Sequence, residues 1–193
     1  MVTEHEELLD LVRRYFPTIP VLRRDQITTW RMWSDPEKDE IDNTFALRRW
    51  DEFSYDEIRR EYAALYFFSL KAWLYFLPAY MRLIARDVEE ADMVPGALVS
   101  SMEIKRRSFF HPMGVSPLFY LSNGQAEVVR RILFNIREWW CKDGFSTLEI
   151  DEKIQICNEL LRKRKWVCGR AMNSGYAMLV RGASVPMMRE VRV

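Results

Sequence analysis

The side chains able to carry chemistry in this chain are few and scattered. His5 and His111 are its only imidazoles, and Cys141, Cys157 and Cys168 its only thiols. Such groups act as general bases, nucleophiles or zinc ligands, but zinc sites gather ligand pairs at close spacing, and none occurs here. The three cysteines therefore read as reduced, partly buried thiols, with no metal and no cofactor expected. Glu57 and Glu61 fall one helical turn apart and could divide acid and base roles. With Arg59 and Arg60 beside them, a solvated helix face is the simpler expectation. A Walker glycine loop, a dinucleotide fingerprint, a nucleophile elbow and a zinc-protease helix are all absent from the sequence.

Charge offers a second kind of candidate. The net charge is +1, yet residues 1–100 carry 13 basic and 19 acidic side chains, against 16 and 9 in residues 101–193. This asymmetry suits docking of one half on the other, or of either half on a partner. On the acidic side stand Asp35, Glu37, Asp39 and Glu40, in a stretch, DPEKDEIDN, that reads as a polar loop able to meet a basic partner. It lacks the glycine of a calcium loop. On the basic side, Lys105, Arg106 and Arg107 precede Phe109 and Phe110, a combination that could hold a nucleic-acid backbone and stack bases. Arg162, Lys163, Arg164 and Lys165 read first as cations closing a helix, favoured there by about 0.3–1 kcal/mol, and second as an anion site.

The elements that position these groups are organised around Tyr62 to Ala85, the longest apolar stretch and the richest in aromatic rings. About 20 apolar residues suffice to span a bilayer. Lys71 near the middle and a composition of Tyr and Trp rather than Leu, Ile and Val argue for a buried soluble core instead. Leu70, Trp73, Leu74, Leu77, Met81, Ile84 and Ala85 recur at helical spacing, and Pro78 predicts two helical pieces separated or kinked there. Before this stretch, an amphipathic helix is expected over residues 2–16 and a short one over 25–33, capped by Asp25. Ser54 with Glu57, Ser122 with Gln125 and Ser146 with Glu149 are spaced as capping boxes, each opening a helix, and Gly144 suits a helix end. Residues 89–121 are interrupted by Pro95, Gly96, Pro112, Gly114 and Pro117 and read as irregular. From Trp166 onward, glycines and short apolar runs suggest an extended tail or small β-hairpin.

The fold class that follows is mainly α, a single-domain helical bundle spanning residues 1–193, long enough to bury a core without disulfide or metal staples. The acidic N-terminal residues have no continuous apolar run, which points to the cytoplasm and to no membrane association.

The segment SLKAWLYFLPAYM at 69–81, with Trp50 to Phe53 before it and LSNGQAEVVRRIL at 121–133 after it, resembles a family of uncharacterised small bacterial proteins. The likeness covers residues 50–140, and Leu77-Pro78-Ala79-Tyr80 is its distinctive block; Leu70 and Lys71 stand where the family often has proline and glutamate. The resemblance implies a compact helical fold and a bacterial source, and it transfers no activity or catalytic residue. The leading functional expectation is a non-enzymatic protein-binding protein in the style of a bacterial immunity or accessory protein that neutralises a cognate toxin. The alternatives are a nucleic-acid-binding protein using the basic half, or an enzyme whose site follows no known motif.

Overall fold

The computed structural model describes residues 4–28, 36–103 and 116–173, with side chains as far as Arg162. Seven α-helices occur among them: α1 (Glu4–Tyr15), α2 (Pro36–Phe45), α3 (Tyr55–Arg60), α4 (Leu70–Arg86), α5 (Val94–Ser101), α6 (Asn123–Lys142) and α7 (Leu148–Asn173). Short 3-10 turns punctuate them at Arg24–Gln26, Trp50–Glu52, Tyr62–Tyr66 and Pro117–Tyr120. The fold is mainly α, and the one strand-like feature among the described residues is an isolated antiparallel bridge between Thr28 and Phe68.

The aromatic stretch supplies the central element. α4 packs against α1, α3, α5, α6 and the turn at Trp50–Glu52, while α6 and α7 lie along each other as a hairpin. Trp73, Phe76, Leu77, Tyr80, Met81, Leu83 and Ile84 are all buried, so the helix is enclosed on most of its circumference, and Lys71 stands exposed at its first turn. No described helix is long and apolar enough to cross a membrane.

α4 runs through Pro78 as one helix rather than two pieces. A proline inside a helix costs about 3 kcal/mol. Each large side chain buried beyond it contributes about 1.5–3 kcal/mol, so keeping Tyr80, Met81, Leu83 and Ile84 in the core outweighs the missing donor. The whole Leu-Pro-Ala-Tyr block is core: all four residues are buried, and the Tyr80 hydroxyl donates to the Glu61 carbonyl at 2.9 Å. Burial first, then the nearby Glu61 carboxylate, pushes the Tyr80 hydroxyl well above the ordinary tyrosine range.

Polar ends of the buried aromatics are satisfied. The Trp73 indole N–H donates to Ser101 Oγ at 2.9 Å, which in turn donates to the Leu98 carbonyl; the Trp50 indole reaches the Pro17 carbonyl at 3.0 Å. Ser69 is the cap that starts α4. Its hydroxyl accepts from the Ala72 N–H at 3.1 Å and donates to the Gln26 carbonyl at 2.6 Å, tying the helix start to the Arg24–Gln26 turn.

Two of the three expected capping boxes form. Ser54 and Glu57 exchange reciprocal bonds of 3.2 and 2.7 Å, and Ser122 and Gln125 of 3.3 and 2.9 Å. The third is not formed among the described residues: α7 begins at Leu148, Thr147 Oγ1 donates to the Asp151 carboxylate at 3.0 Å, and Glu149 Oε1 is buried without a described partner. α6 ends as its glycine predicts. Gly144 has φ +76°, and the Phe145 and Gly144 N–H groups close back on the Trp140 and Cys141 carbonyls at 3.0 and 3.4 Å.

Other expectations are corrected. DPEKDEIDN is not a loop: Pro36 to Asn43 belong to α2, because proline sits at its first position and Ile41, Asp42 and Phe45 turn one face inward. Asp25 lies inside a 3-10 turn whose cap is Arg23, so no helix starts on it. The helix opened by Ser54 stops at Arg60 and continues as a 3-10 turn. Within the segment read as irregular, Val94–Ser101 is helical, since Pro95 in a first turn removes no needed donor. α7 passes through Arg162–Lys165 to Asn173 rather than ending near Arg164. No proline lies there, and one glycine costs only about 1 kcal/mol. The possible β-hairpin beyond it lies outside the described residues.

Candidate functional site

α2 places its acidic residues by amphipathic spacing. With Ile41 and Phe45 fixed in the core, Glu37, Asp39 and Glu40 are forced onto the exposed face. Asp39 receives Arg24 at 3.1 Å across to the neighbouring 3-10 turn. Asp39, Glu40, Asn43 and Thr44 line a shallow open depression on this face. Glu61, at the end of α3, adds to the same negative field. Burial, then repulsion by Glu40 and Glu57, raises its carboxyl above the ordinary range, against a lowering by Arg60. Glu57 behaves oppositely. The Ser54 backbone N–H, the Ser54 hydroxyl and Arg48 at 3.0 Å hold its carboxyl low. The two glutamates thus differ because Glu57 completes a capping box and Glu61 is partly buried beside like charges, not because they share a proton.

Of the remaining candidates, Asp35 and Lys105, Arg106 and Arg107 lie outside the described residues. Arg162 is exposed on α7. Lys163, Arg164 and Lys165 occupy the next three positions of that helix.

Much of the positive charge is already engaged. Arg82 lies over the Trp50 and Tyr55 rings at 5.7 and 5.4 Å, Arg86 over Tyr55 at 4.8 Å and Arg48 over Phe53 at 3.8 Å. Arg130 pairs with Glu127 at 2.6 Å and Arg137 with Asp151 at 2.6 Å. Arg131 reaches Glu7 at 2.9 Å, the one ion pair among the described residues that joins the acidic half to the basic half. Both its partners are exposed, which limits it to about 0–1 kcal/mol, so among the described residues pairing between the two halves consumes little of the charge asymmetry.

A second charged surface, missed in the sequence, is a groove where the last turns of α4 and α6 meet. Trp139 forms part of its wall, and Asp87, Glu89, Glu138 and Asp143 outnumber Arg86 and Lys142 around it. Only a three-dimensional contact between helix ends far apart in the chain creates it.

No group of three or more His, Cys, Asp or Glu among the described residues is arranged to hold a metal. Cys141 is exposed and Cys157 buried. Burial pushes the Cys157 thiol up to about 12, so at pH 8 only about one in ten thousand is thiolate. In a Cys168→Ser background, a disulfide-exchange reagent at pH 8 is expected to label one thiol per native chain, Cys141, and the second only after unfolding. Rapid labelling of both would show that Cys157 is not packed as described.

No family model, curated protein or solved structure matches the chain.

Proposed function

We propose that the protein is a non-enzymatic binding protein, of the immunity or accessory type, that engages one basic partner protein through the carboxylate face of α2. The observation that carries this reading is the exposure of Glu37, Asp39 and Glu40 on the solvent side of α2, with Glu40 near enough to add to the burial that raises the Glu61 carboxyl. Like charges on one helix repel each other, and a complementary surface relieves that repulsion. Such a face speeds association and selects against acidic competitors.

The test pairs the protein with the product of its neighbouring open reading frame. A salt-sensitive complex is expected, and if that product is toxic, co-expression protects the cell. The combined change Glu37→Lys, Asp39→Lys and Glu40→Lys slows association by about 10–100-fold while leaving the circular dichroism spectrum unchanged. Glu61 supplies a pH signature. Its raised carboxyl keeps protons in the free protein at pH values where an ordinary glutamate has lost them, and a bound cation expels them. Complex formation just above the ordinary glutamate range therefore releases protons, seen as heats that depend on the buffer's ionisation enthalpy. Complex formation indifferent to both salt and the triple reversal would reject the proposal.

A further inference from the structure

The groove between α4 and α6 has a volume of about 400 Å³ and sits where two helices end together. α4 stops at Arg86 and α6 at Lys142, so the negative ends of two helix dipoles, each equivalent to about half a charge, converge on it. The neighbouring side chains add to that field. Asp87 is occupied as a cap, accepting from the Glu89 and Glu90 N–H groups at 2.9 and 3.0 Å. Glu89, Glu138 and Asp143 are exposed, and their carboxylates make no hydrogen bond or ion pair with a described residue. Of the two cations, Arg86 is turned onto the Tyr55 ring at 4.8 Å, leaving Lys142 as the local counter-charge. Trp139 contributes an aromatic surface, and partly exposed Val88 an apolar floor over buried Ile84 and Ala85.

An aromatic wall, an apolar floor for a methylene stem, and a rim of unengaged carboxylates match the parts of an arginine side chain. We infer that this groove is a docking site for an arginine-bearing segment of a partner protein. The inference rests on the reading of the protein as a binder of basic partners, and it adds a contact surface separate from α2. The guanidinium stacks on Trp139 and receives Glu138 and Asp143, and the helix ends supply a field that an anionic or neutral segment does not meet favourably.

The probe is a capped tetra-arginine peptide titrated into the ¹⁵N-labelled full chain at low salt, with a tetra-glutamate peptide as control. Saturable shifts are expected for the amides of residues 84–89 and 138–143 and for the Trp139 indole, identified by its loss in Trp139→Leu. The glutamate peptide produces none. Glu138→Gln with Asp143→Asn weakens binding about tenfold, and Trp139→Leu about threefold, with unfolding midpoints held near that of the parent. Shifts confined to α2 would overturn the groove and leave the α2 reading standing. Shifts at the groove, together with a partner complex insensitive to α2 reversal, would do the opposite. Absence of shifts anywhere overturns the docking site.

Discussion

Replacing Phe76 by alanine is expected to destabilise the protein by about 3–5 kcal/mol, the range for deleting a buried phenylalanine ring. Phe76 is fully buried and stands at the centre of an aromatic cluster, with ring centroids 4.9 Å from Phe45, 5.9 Å from Phe53 and 5.5 Å from Phe68. These contacts join α2, the segment before α3, the Thr28–Phe68 bridge region and α4, so no single element can collapse into the space without disturbing three others. The loss is a large share of the roughly 5–15 kcal/mol that holds a domain of this size together. At about 2–4 °C per kcal/mol the melting midpoint should fall by about 6–20 °C. Phe76→Leu, which keeps most of the volume, should cost under about 2 kcal/mol. Phe145→Ala is the control: its ring is 61% exposed, and its removal should stay within about 1 kcal/mol. Thermal or urea unfolding of the three variants decides the matter, and a cost under 1 kcal/mol for Phe76→Ala would mean that the cluster does not carry the fold.

Parts of this architecture were legible because they are local. A serine followed three residues later by Glu or Gln satisfies two helix donors with its own neighbours, so Ser54 and Ser122 announce α3 and α6 whatever packs around them. Gly144 is equally self-contained, since only the residue's own backbone must adopt positive φ. Gly124 shows the opposite case. A Cβ there would lie 2.2 Å from the Tyr15 ring, so the residue is small because a distant helix rests on it, which no spacing in the sequence displays. Pro78 does not separate two helices for the same reason: its local cost is real, and long-range burial keeps α4 continuous through it. The candidate site divides in the same way. The acidic residues of α2 were visible as types, but their exposure depended on Ile41 and Phe45 finding the core, and the α4–α6 groove depended on two helix ends meeting.

Asp42 is the residue for which this distinction has the largest consequence, because it sits among the α2 acids and does the opposite work. It is 3% exposed. Its Oδ1 accepts the Thr28 N–H at 3.1 Å and the Thr28 hydroxyl at 2.8 Å, and its Oδ2 accepts the Lys38 ammonium at 2.5 Å. It therefore fastens the bridge segment to α2 and supplies the partners that buried Thr28 would otherwise lack. Asp42→Ala strands a buried N–H, a buried hydroxyl and a half-buried ammonium, with an expected cost of about 3–5 kcal/mol, the range for breaking a buried pair by removing one partner. Asp42→Asn keeps one acceptor for Thr28 while losing the charge that faces Lys38, and should fall between the alanine variant and the parent. Asp39→Ala, three residues earlier, removes an exposed carboxylate whose pair with Arg24 is worth at most about 1 kcal/mol. Salt separates the two further, since 0.5 M sodium chloride screens the exposed pair strongly and the buried one much less. Measured by urea unfolding, equal costs for Asp42→Ala and Asp39→Ala would place Asp42 on the surface with its neighbours, and the bridge segment would need another anchor.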